Sequence, residues 1–289
     1  VKSAINKYPV AAFVVLTFAI SYLVGLPLKL YVLNKALEGS EIGLNYLSKI
    51  FVVFAPALAA VIVTSADNEN GELRALLKKV LPDTEHIIWW LALLSGGFVV
   101  TMISFIIAGS SFPSIIVLIT ASSPLLLVLH LLGAVLLIGI GEELGWRGWL
   151  LPRLIKDSTP AKATLIVFAI WAIWHLPVLL SGYRVVIPFL MACLALSIIL
   201  TRFWHHVNGN VFVLAVAHAA VNFPEAFFEG RLGTGQEHDI LNAWTAASAI
   251  YLLMAIAVII YDPKWWINPY KPAPKEIEIP MEDRPGLDL

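Results

Sequence analysis

Charge is scarce in this 289-residue sequence. The 19 lysines and arginines and 20 aspartates and glutamates make up 13% of it, where a soluble domain carries about 25%. The shortage is uneven: several long windows hold no charge at all, and a soluble fold of this length would have to hide every one of them in one core. Cysteine is almost missing too. A lone Cys193 excludes a disulfide framework or a thiolate metal cluster within one chain, and in its apolar run it reads as a small buried residue. The net charge of -1 gives no basic surface for a polyanion, so no nucleic-acid partner is expected. No HExxH is present, which excludes a zincin-type site, and no GxSxG, which removes one serine-hydrolase reading. The N-terminal stretch lacks a cleavage-site pattern, and its first apolar run is too long for a signal peptide.

What fills the sequence is apolar: 59% of residues are hydrophobic. A helix needs about 20 such residues to cross a hydrocarbon layer of roughly 30 Å. The pattern predicts an all-α, polytopic membrane protein with about eight spans: Pro9 to Leu33, Leu47 to Thr64, Ile87 to Ala108, Pro124 to Leu151, Ala161 to Leu180, Val185 to Phe203, Val211 to Phe228 and Leu241 to Tyr261. Residues 1–262 read as one integral-membrane domain with a motif-bearing core at about 124–228. Residues 263–289, rich in proline and charge, read as a disordered cytoplasmic tail. Between Asn68 and Glu85, Leu73, Leu76, Leu77, Val80 and Leu81 have amphipathic spacing and predict a helix on the membrane surface. Ser110 to Ser123 is apolar but short and interrupted by Pro113, as in a re-entrant or interfacial piece.

Basic residues orient the bundle. With eight spans, Lys29, Lys35, Lys49, Arg184 and Arg231 fall on one side and the remaining 14 of the 19 on the other. Both termini are therefore expected in the cytoplasm.

Ionisable groups inside spans cost a few kcal/mol on insertion scales and need a reason. Three places stand out. In Gly141-Glu142-Glu143-Leu144-Gly145-Trp146-Arg147 the spacing lets Glu143 pair with Arg147 four residues on. Glu142, about 100° around the helix, has no helical partner; a carboxylate in that state is suited to act as a base. His175 lies in Trp171-Ala172-Ile173-Trp174-His175; by itself it reads rather as a core histidine bonded to a carbonyl. His218 and Asn222 share a helical face and offer two donors to one point, as a developing oxyanion requires; polar glue between helices is the bland reading. At about 1.5 Å per residue, Glu142 and His218 lie roughly 10 to 15 Å from the inner ends of their spans, and His175 a turn or two deeper. The set reads as one polar cavity among the fourth, fifth and seventh spans, reached from the cytoplasm.

These residues resemble the three motifs of the CPBP intramembrane proteases, named for CAAX and bacteriocin processing, and within them the Ras-converting CAAX endopeptidases. The family pattern EExxxR, FxxxH, HxxxN/D matches Glu142-Glu143 with Arg147, Trp171 with His175, and His218 with Asn222, in that order. Gly148, Leu151-Pro152-Arg153 and Asn208-Gly209-Asn210 agree in the flanks, and the likeness covers about Leu131 to Pro224. Trp171 departs from the usual phenylalanine, which bears on packing behind His175. The resemblance implies an intramembrane endopeptidase. In it Glu142, helped by His175, activates water, and His218 with Asn222 forms the oxyanion hole. Glu143 and Arg147 hold the first motif in shape. No cofactor is expected; were zinc present, Glu142, His175 and His218 would be its ligands. The implied partners are the bilayer and a membrane peptide or lipidated protein C-terminus, and the implied setting is a prokaryotic cell membrane. A proton- or solute-coupled transporter and a non-catalytic scaffold of the same fold stay open, as does the prenylation of the substrate.

Overall fold

The computed structural model describes residues 2–36, 50, 52–66, 71–82, 84–109, 124–228 and 237–271. All regular structure among them is helical. Lys2–Lys7 (α1) is short. Five helices are long and apolar enough to cross a membrane: Pro9–Tyr31 (α2), Ile87–Ile107 (α5), Val128–Lys156 (α6), Tyr183–His206 (α9) and Ile240–Tyr261, within Glu237–Tyr261 (α11). Three further apolar helices are shorter: Ala55–Ala66 (α3), Pro160–Trp174 (α7) and Val211–Phe228 (α10). Each of the eight expected segments thus contains a helix among the described residues, and five of these helices reach spanning length unaided. The large apolar side chains left exposed on the long helices, such as Val15, Leu23, Ile88, Leu91, Leu253 and Ile260, suit a hydrocarbon surround, where outward apolar faces need no protein partner.

α6 is the axis of the fold. It packs on α3 and α10, and α10 in turn packs on α5. Glycines set these distances: a Cβ on Gly145 would overlap the backbone of Pro56 in α3, and one on Gly139 would strike Ala215 in α10. Two π-helical stretches, Ala134–Gly139 and Trp146–Leu150, flank the two glutamates, and such stretches often accompany functional sites. Below the motif the core is aromatic and dense. Trp146, Trp149, Leu150 and Leu151 are fully buried, and Phe13 of α2 stacks on Trp149 with ring centroids 4.7 Å apart.

α7 ends one residue before His175. Pro177 removes a backbone donor and disfavours helical continuation, and a separate short helix, Leu176–Leu179 (α8), follows. Trp174 closes the break by donating its indole N–H to Ser21 Oγ at 2.7 Å, while Tyr22 donates its hydroxyl to Trp174 O at 2.6 Å.

The expected surface helix is present as Glu72–Lys78 (α4). It is shorter than its amphipathic pattern: Leu76 is buried and Val80 packs against the core, while Leu77 and Leu81 stay exposed. The next residue, Lys79, works as a clasp. Its Nζ donates to Gly148 O at 2.8 Å, and its carbonyl accepts from Val211 N at 2.8 Å and Phe212 N at 3.2 Å, the start of α10. One residue thus ties the two helices that carry Glu142 and His218. Burial, then the neighbouring Arg153 charge, holds its ammonium below the ordinary lysine range, with Glu72 opposing. Lys79→Met keeps the stem and loses a charged hydrogen bond, so a stability loss of about 2 kcal/mol is expected, read as a lower Tm in detergent.

The segment expected to be a disordered tail begins differently. Asp262 caps Pro263–Ile267 (α12), its carboxylate accepting from Trp265 N. Trp266 is buried, and Tyr270 packs on Trp204. Aromatic burial anchors this part against α9 where composition alone suggested solvation. Residues 272–289 and the Ser110 to Ser123 piece lie outside the described residues.

Candidate active site

The first motif forms the centre. Glu143 and Arg147 are fully buried and paired, Arg147 Nη1 donating to Glu143 Oε1 at 2.9 Å, four residues apart as the spacing requires. The same oxygen takes a second partner that the spacing could not announce: His218 Nδ1 lies 2.7 Å from Glu143 Oε1. An ionised carboxylate can only accept, so Nδ1 carries a proton and Nε2 is the nitrogen left for chemistry.

Glu142 is nearly as buried, 3% exposed, and does not face outward. Its partner comes from α7, where Trp171 Nε1 donates to Glu142 Oε2 at 2.8 Å. The break at His175 makes a second fixed tautomer. His175 N bonds to Ala172 O rather than one turn back, at 3.1 Å, so Trp171 O is left to accept from His175 Nδ1 at 2.9 Å. A carbonyl cannot donate, so Nδ1 again holds the proton, and in the neutral ring Nε2 is an acceptor.

Glu142, Trp171, His175, His218 and Asn222 all line one cavity of about 520 Å³. The four expected catalytic side chains are therefore gathered, with Trp171 beside them. Glu142 and His175 come level because α6 continues to Lys156, while His218, seven residues above Val211, is nearer the start of its own helix. Glu142 is 14 residues above that end and His175 15 above Pro160, which at about 1.5 Å per residue is the same level. The remaining wall is largely apolar, with Phe105 of α5, Phe189 and Leu196 of α9, and Trp244 and Tyr251 of α11. Polar residues without any motif, Thr101, Ser104 and Ser248, also line it; nothing in the sequence singled them out.

The cavity spreads toward one end of the bundle, where Lys29 ends α2 and Val185 and Ile240 open α9 and α11. Lys79, Val211 and Tyr270, near which α4 and α12 pack, mark the other end. Between the motif and that end stand Trp146, Trp149, Leu150 and Leu151, all fully buried. The described ends of the chain, Lys2 and Lys271, and the side toward which the cavity spreads belong to opposite ends of the bundle, which sets an approach from the cytoplasm against cytoplasmic termini, both expected from the sequence.

Among the described residues no three His, Cys, Asp or Glu side chains converge as a metal ion would need, and one oxygen of Glu142 is already engaged by Trp171.

Residues 124–224 match the family model described as type II CAAX prenyl endopeptidase Rce1-like. Over this core the chain is similar to the CPBP/CAAX protease family. A relative from Methanococcus maripaludis, named CAAX prenyl protease 2, is 24% identical over 138 residues, which cover 44% of this chain and 48% of the relative. The chain thus spans about half the length of that curated relative. The CAAX-protease match takes in α6, α7, α9 and most of α10, the helices that carry all three motifs, and leaves out α5 and α11, which complete the cavity wall.

Proposed function

We propose that the protein is an intramembrane endopeptidase that hydrolyses a peptide bond near the end of a membrane-associated, CAAX-like lipidated peptide. The observation that carries this is Glu142, a buried carboxylate at the wall of a mostly apolar cavity shared with His175, His218 and Asn222. Water held between Glu142 and His175 Nε2 would give its proton to the glutamate and attack the scissile carbonyl. The oxyanion would be met by the Asn222 amide and by His218 Nε2. Because Glu143 holds Nδ1, Nε2 can donate only as imidazolium. Charge balance favours that form: Glu142 and Glu143 against Arg147 and protonated His218 sum to zero. The sum stays zero when Glu142 takes the proton and the oxyanion forms. Glu142 then returns its proton to the leaving amine as the C–N bond breaks.

Long hydrocarbon fits the apolar wall, which is why a lipidated peptide is the proposed substrate. The test is cleavage of matched prenylated and unprenylated peptides by the purified protein, repeated with a chelator. Specific cleavage of the prenylated peptide, unaffected by chelation, is expected. Solute uptake by proteoliposomes without cleavage would defeat the proposal. Asn222→Ala is expected to lower kcat by about 10²- to 10³-fold with little change in KM, since an oxyanion donor acts only in the transition state; steady-state kinetics on the prenylated peptide check it.

On orientation we keep the termini in the cytoplasm, following the basic residues, which turns the cavity mouth outward. Protease protection of a terminal tag in sealed vesicles decides it.

A further inference from the structure

We infer that Trp171 is a positioning residue whose indole N–H holds the Glu142 carboxylate in its working orientation. This rests on the reading of Glu142 as the base.

Four contacts meet on this one ring. Its Nε1 donates to Glu142 Oε2 at 2.8 Å, in a buried setting. The Arg147 guanidinium carbon lies 4.6 Å from the ring centroid. The His175 and His218 rings meet it edge-on at 5.9 and 5.5 Å. Its own carbonyl accepts from His175 Nδ1 at 2.9 Å. The indole therefore touches Arg147, His175 and His218 and is bonded directly to the base.

A phenylalanine, the residue the motif pattern usually has here, would supply a similar ring against Arg147 and the histidines but no N–H. The second oxygen of Glu142 would then lose its donor, and the carboxylate would be free to turn about its terminal torsion, which is broad and has no strong staggered wells. The N–H thus does for Glu142 what the carbonyl of Trp171 does for His175: it leaves one atom of each committed to the scaffold and one for water.

The decisive change removes only the N–H. Incorporating 3-benzothienylalanine at position 171 keeps the bicyclic shape and puts sulfur in place of the N–H; Trp171→Phe is the companion. Kinetics on the prenylated peptide and Tm in detergent are measured for both, beside Glu142→Gln. We expect kcat to fall about 10- to 100-fold for both, with KM within about twofold and the Tm of the isostere unchanged. A purely packing role would leave the isostere at full kcat, and that result overturns the inference while the glutamate reading stands. If Glu142→Gln keeps its activity, the glutamate reading falls and this inference with it.

Discussion

Glu142→Gln should fold normally and cleave nothing measurable, with kcat lowered on the order of 10⁴-fold. The two halves of that result have separate causes. Glutamine keeps a carbonyl oxygen that can accept from Trp171 Nε1, the side-chain hydrogen bond that Glu142 makes among the described residues, so the joint between α6 and α7 survives. The amide cannot take a proton from water, so the first step is lost. An unchanged Tm beside lost cleavage separates an enzyme from a scaffold of the same fold, because a scaffold has no turnover for the substitution to remove. Retained cleavage would show that the base lies elsewhere, with His175 the next group to test.

Arg147→Met should be the most damaging single change to stability, about 3–5 kcal/mol, because it leaves one partner of a buried ion pair without the other. Both side chains are fully buried, so water cannot take over the solvation of Glu143. The prediction includes a rescue. Glu143→Gln combined with Arg147→Met removes the stranded charge yet keeps an acceptor for His218 Nδ1, so the double variant should melt above Arg147→Met alone. Thermal unfolding in detergent reads both. A single variant with wild-type Tm would mean that the pair is not worth its desolvation, as some buried pairs are not. Arg147 also lies over the Trp171 ring, so even a folded Arg147→Met should cleave poorly.

Helix placement was legible because apolar runs punctuated by Pro, Gly and charge report themselves at the level of single segments, and the Glu143–Arg147 pair because four residues is one turn. What the sequence hid is what crosses between helices. The Glu143 bond to His218 joins positions 75 residues apart, and the Trp171 bond to Glu142 joins positions 29 apart; no spacing rule encodes either. A weak signal for the second did exist, since a buried tryptophan N–H usually finds an acceptor, and Trp171 stands on the same helix as His175. The tautomer of His175 was hidden for another reason. It depends on a helix break at Pro177 that frees a carbonyl, whereas the sequence suggested one span running on to Leu180. Composition also misjudged residues 263–271, where the aromatic residues that anchor α12 lie among prolines and charges.

The dense tryptophan layer under Glu143 has a consequence for traffic. Among the described residues that layer closes one end of the bundle, so water, the incoming peptide and both fragments of the proposed reaction would share the other. On the proposed function, a fragment that kept its lipid would leave sideways into the leaflet there, while the short released piece would depart into the adjoining water. A tag joined directly to Lys2 or Lys271 would start from the closed end, so it would leave that exit unobstructed and mark the side of the bilayer opposite the proposed cutting.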